Sequence, residues 1–98
     1  MDLTRQAPRS PYARLGGYVW LPRLIDKARA FAAGTLGVYH YVDCPMNGQL
    51  LHFLGLESDR VAAVVAERPT DEQVMQWLEA HAIPHPPAIR ELFNQRFM

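Results

Sequence analysis

Three observations predict an all-α fold. Apolar residues recur at three- and four-residue spacing. Glycines and prolines punctuate those stretches at helix-ending distances. The one short β-branched run has no second run to pair with. The chain has 98 residues, of which 49% are hydrophobic and 20% charged. That composition is globular and excludes a disordered or acidic-tail protein. The length suits a single domain over residues 1–98, with an extended arm at 1–11 and a helical core of about five short helices at 12–98.

Residues 1–11 hold Arg5, Pro8, Arg9, Ser10 and Pro11 without periodicity, so they read as an extended arm that buries little and is dispensable to folding. Gly16 and Gly17 break any helical turn formed by Pro11 to Leu15. Pro22 opens the first helix, since proline is tolerated in a first turn. Leu21, Leu24, Ile25, Ala28, Phe31 and Ala32 give its apolar stripe, and Gly34 ends it. Residues 35–43 are β-branched and aromatic, an extended crossing packed on helices.

Leu50 to Leu54 is a short helix stopped by Gly55. Ser58 caps a helix through Val61, Val64 and Val65 to Glu67, which Pro69 stops. Thr70 with Gln73 forms a capping box ahead of Val74, Trp77, Leu78 and His81 on one face. After Pro84, Pro86 and Pro87, Ala88 to Phe97 makes a last helix with Ile89, Leu92, Phe93 and Phe97 inward.

Ten cations balance ten anions, so bulk charge recommends neither a nucleic acid nor a membrane surface. The balance is uneven along the chain. Residues 1–40 carry six cations against two anions, and residues 41–98 carry four against eight. The halves either cover each other or leave the Arg-rich N-terminal half to bind an anion. No apolar run approaches the ~20 residues of a membrane span, and the opening residues have no apolar signal core. A lone cysteine excludes an internal disulfide, which fits a cytoplasmic setting.

Arg23, Asp26 and Lys27 share the helix face opposite the apolar stripe. Such a face is either a solvated ion-pair surface or a site in which Arg23 and Lys27 hold a carboxylate or phosphate. In the second case Asp26 orients them or acts as a base, and Tyr18 and Trp20 form a roof. Arg9 and Arg14 lie just upstream and extend the anion-binding set. Cys44 stands before a helix, where a thiol is activated by the dipole, and His40 and His52 are bases near it in sequence. A lone cysteine is equally a small buried hydrophobe.

The His and Cys spacing lacks the paired pattern of a zinc site, and no cofactor loop is present; Gly16-Gly17 is too short for phosphate cradling. Residues 58–82 have helix-turn-helix spacing, yet Asp71, Glu72 and Glu79 on the second helix repel phosphate.

The segments Pro8-Arg9-Ser10-Pro11, Leu15-Gly16-Gly17-Tyr18 and the run from Leu21 to Ala30 carry a resemblance. So do Ala33-Gly34, Tyr39 to Tyr41, Cys44-Pro45 and Phe53-Leu54-Gly55. Over about residues 2–80 the chain resembles a family of small bacterial proteins known only as a domain of unknown function. The resemblance implies a small cytosolic protein of bacterial origin and assigns no activity or catalytic residue.

The reading from the residues is a binding or interaction module for a small anionic molecule or the acidic surface of a partner protein. The rival is a small enzyme acting on a carboxylate or phosphate with Asp26, Lys27 and Arg23, aided by Cys44 or His40. The opposite-signed halves and the Phe93/Phe97 stripe also suit a self-complementary homodimer.

Overall fold

A computed structural model describes residues 1–98. It holds β1 (Arg14–Leu15), β2 (Tyr18–Val19), α1 (Leu21–Ala33), α2 (Pro45–Leu54), α3 (Ser58–Glu67), α4 (Asp71–His81) and α5 (Pro87–Asn94), with a closing 3-10 turn at Gln95–Phe97. The fold is mostly helical, as the periodicity predicts. No helix is long and apolar enough to cross a membrane.

The hairpin departs from the expected helical core, in which Gly16 and Gly17 only break a helical turn. Gly16 and Gly17 both have positive φ, 59° and 82°. Two such residues between paired positions make the tight turn that matches strand twist. They set Arg14 opposite Val19 and Leu15 opposite Tyr18 in an antiparallel pair. A two-residue strand cannot stand alone. Asn94 of α5 clamps it: the Val19 amide donates to Asn94 Oδ1 at 3.1 Å, and Asn94 Nδ2 donates to the Gly17 carbonyl at 2.9 Å.

α1 lies against α3. Leu24, Ile25 and Ala28 meet Val61 and Val65 in one core that also takes Leu50, Val74, Leu78, Phe93 and Phe97. Arg29 ties the pair by donating to the Arg68 carbonyl at 2.6 Å, where α3 ends. α2 begins at Pro45, five residues before the expected start, because proline suits the first helical position. Glu57, not Ser58, is the N-cap of α3. The Thr70/Gln73 capping box of α4 forms as expected. Residues 35–43 contain no helix or strand and cross as turns.

Four inward assignments are corrected. Phe31, Ala32, Ile89 and Leu92 are exposed. Residues two apart on a helix lie about 200° apart, so turning Asn94 inward to the hairpin turns Leu92 out. The arm is also corrected. Leu3 and Pro8 are buried, and the Leu3 amide donates to the Thr35 carbonyl at 2.9 Å. The first eleven residues are a strap packed across α1.

Candidate functional site

Trp20 organises the site. It precedes α1 with φ 73°, the one non-glycine residue of the chain in the left-handed region. A bulky residue there costs roughly 1–2 kcal/mol and persists only when its surroundings hold it. Here they do. The indole Nε1 donates to Asn47 Oδ1 at 2.6 Å, and Asn47 Nδ2 donates to the Tyr41 carbonyl at 3.2 Å. The ring also stacks on Phe97, with centroids 5.8 Å apart.

This posture sets the indole beside two cations one helical turn apart. The Arg23 guanidinium carbon and Lys27 Nζ each lie 5.5 Å from the Trp20 ring centroid. Tyr39 flanks Arg23 at 5.8 Å. Lys27 is buried at 5% exposure, and its Nζ has one polar neighbour, Cys44 Sγ at 3.9 Å. Burial pushes the Lys27 pKa down; a charge on Cys44 opposes this, and the charge on Arg23 adds to it. Arg23 donates from Nη1 to the Arg9 carbonyl at 3.2 Å, while its buried Nε has no acceptor. Neither cation is paired with a carboxylate.

Asp26 explains why. It is buried at 2% exposure and is taken by the strap. The Arg9 amide donates to Asp26 Oδ2 at 2.8 Å, and the Arg9 guanidinium adds contacts at 3.1 Å. The same guanidinium reaches Asp71 Oδ1 at 3.0 Å. Its hydrogen bond to Asp71, together with Asp26, holds Arg9 well above the ordinary guanidinium value, despite burial. In turn Arg9 holds the Asp71 carboxyl below its usual range. The sequence reading placed Asp26 on an outer face beside Arg23 and Lys27. In the fold its carboxylate is engaged by the Arg9 amide and guanidinium rather than by Arg23 or Lys27.

The remaining expected residues divide. Arg14 pairs with Glu91 at 2.7 Å. His40 is exposed and its Nδ1 lies 3.1 Å from Asp43, away from any shared contact with Cys44. Tyr18 is buried on the other side of the hairpin, under Arg90. Cys44 joins Lys27, and Trp20 joins both cations. No group of three or more His, Cys, Asp or Glu side chains converges on a common point. Arg23, Asp26 and Lys27 do not line the concave pocket between the hairpin and α4.

Asn47 and Tyr39 were not among the expected site residues. Tyr39 read as packing, and Asn47 has no periodic signal because α2 begins earlier than the apolar run. The Arg9–Asp26–Asp71 link joins positions 62 residues apart, and no local pattern announces it.

The class this defines is a small helical module that holds two uncompensated cations against an aromatic wall. A family model described as "Domain of unknown function (DUF5069)" matches residues 5–98, and the chain belongs to that family. The match runs through the proline-rich link and α5, beyond the segments that carry the resemblance in the sequence. No curated protein matches the chain.

Proposed function

We propose that the protein is a binding module for an oxyanion, a phosphate or carboxylate group, received by Arg23 and Lys27. One observation carries the reading: two neighbouring cations, Lys27 buried and Arg23 half-buried, have no acidic partner, while Arg9 and Arg14 are both paired. Burying unpaired charge is costly, and an anion removes the cost. Arg23 offers a planar donor fork, and Lys27 offers a point charge. Trp20 and Tyr39 flank the guanidinium, with ring centroids 5.5 and 5.8 Å from its carbon. The oxyanion belongs either to a small molecule or to an acidic side chain of a partner protein, in a bacterial cytoplasm.

The second reading is an enzyme on the same group. It rests on Lys27, whose lowered pKa brings a neutral amine closer to working pH beside Cys44. Asp26, held by Arg9, would serve that reading by fixing the strap beside Arg23 and Lys27. A contact between two copies through α5 would use the exposed Ile89 and Leu92, because Phe93 and Phe97 are spent in this chain's own core. Light scattering across a concentration series tests that contact; a monomer at every concentration removes it.

The test of binding is a two-dimensional NMR titration with sodium phosphate at fixed ionic strength. Saturable shifts at Arg23 Nε, Trp20 Nε1 and the Lys27 amide are expected. Arg23→Gln and Lys27→Met should each weaken binding about tenfold or more, the scale of a charge-assisted hydrogen bond. Linear, unsaturated shifts spread over all arginines would remove the reading.

A further inference from the structure

A second site lies on the other side of the hairpin, independent of the Arg23/Lys27 cluster. A half-open pocket of about 160 Å³ sits between the hairpin turn, α4 and the Pro84–Pro86 link. Leu21, Leu54, Met75 and Leu78 make an apolar floor. A dry apolar void of about that volume takes one six-membered ring.

The rim is polar and fixed. Arg90 donates from Nε to the His85 carbonyl at 2.7 Å and from Nη1 to the Gly16 carbonyl at 2.9 Å. Its guanidinium carbon lies 5.5 Å from the Tyr18 ring centroid. Three anchors therefore set the fork, yet no carboxylate of the chain pairs with it. His85 is locked as well: its Nε2 lies 2.8 Å from the Phe53 carbonyl, which can only accept, so Nε2 carries the proton. Glu79 stands on the rim and opposes a second negative charge.

We propose that this pocket binds a small monocarboxylate with an apolar ring or branched body of about six carbon atoms. The body lies on Leu21, Leu54 and Leu78, and the carboxylate meets Arg90. Apolar floor and one pre-oriented cation are the two ingredients such a ligand needs. Glu79 selects against dianions. Gly16 lines the mouth in the left-handed region, at φ 59°, with the Met75 thioether packed over it.

The test is methyl-detected NMR on the full chain with benzoate, benzyl alcohol and phthalate. Benzoate should shift the Met75, Leu78 and Ile83 methyls saturably, and benzyl alcohol and phthalate should bind about tenfold more weakly. Arg90→Gln should bring benzoate down to the benzyl alcohol level. If that variant fails to fold, the comparison of the three probes on the natural chain still decides. Equal affinity for benzoate and benzyl alcohol overturns the role of Arg90. Benzoate shifts confined to Trp20, Arg23 and Lys27 overturn this site and leave the first one standing. Absence of saturation at the pocket methyls with every probe overturns it outright.

Discussion

Trp20 and Asp26 are the two residues on which the site turns. Trp20 combines an unfavourable backbone with a favourable side chain, and the two can be separated. Trp20→Ala keeps the left-handed strain and loses the indole, so it should cost roughly 3–5 kcal/mol. Trp20→Gly loses the same indole and relieves the strain, so it should be the milder change by about 1 kcal/mol. Urea midpoints of the two variants check this; alanine as the better tolerated residue would show that position 20 carries no backbone strain. For Asp26, an exposed pair predicts a loss well under about 1 kcal/mol on removal. The buried geometry predicts about 2–4 kcal/mol for Asp26→Ala, because the Arg9 amide and guanidinium lose their acceptor. The same denaturation series distinguishes the two.

The elements show what a sequence makes legible and what it does not. α1 and α4 could be read almost to their ends because stripe, cap and stop signals coincide there. The 14–19 hairpin could not. Its strands are two residues each, too short for a period, and its Gly-Gly turn reads equally as a helix breaker. The arm misleads for a different reason: it is held by two buried apolar side chains and one arginine rather than by a stripe. Of the site, the spacing of Arg23, Asp26 and Lys27 was visible. Its division into a paired carboxylate and two free cations was not, because Arg9 arrives from 17 residues away. The strap makes a prediction of its own. Deleting residues 1–10 should lower stability by about 3 kcal/mol or more, through loss of Leu3, Pro8 and the Arg9 link. A truncated chain with an unchanged urea midpoint would return the arm to a dangling segment.

At the scale of the molecule, the opposite-signed halves cover each other through Arg9–Asp71 and Arg14–Glu91. That pairing sets an acid limit. Arg9 and Arg14 hold Asp71 and Glu91 below their ordinary values of 3.8 and 4.5. The unfolded chain then binds more protons than the folded one, so this stability is complete above about pH 5 and falls as pH drops through the folded-state values. Arg9→Met should flatten the acid limb of a stability profile below about pH 4; an unchanged limb would mean that Asp71 does not sense Arg9. Lys27 works in the other direction. Its pKa is lowered on folding, so its burial penalty is present at neutral pH and is relieved as pH rises toward 10.5. On the proposed reading, a bound oxyanion would remove that penalty at neutral pH.

The central claim, that Arg23 and Lys27 are left uncompensated to receive an oxyanion, is tested most directly by thermal unfolding in phosphate against chloride at equal ionic strength. At 100 times the dissociation constant a ligand stabilises by about 2.7 kcal/mol, which for a domain of this size raises the melting temperature by roughly 10 °C or more. The natural chain should show that rise, and the Arg23→Gln/Lys27→Met double variant should show almost none of it. An equal rise in both chains, or none in either, would contradict the claim.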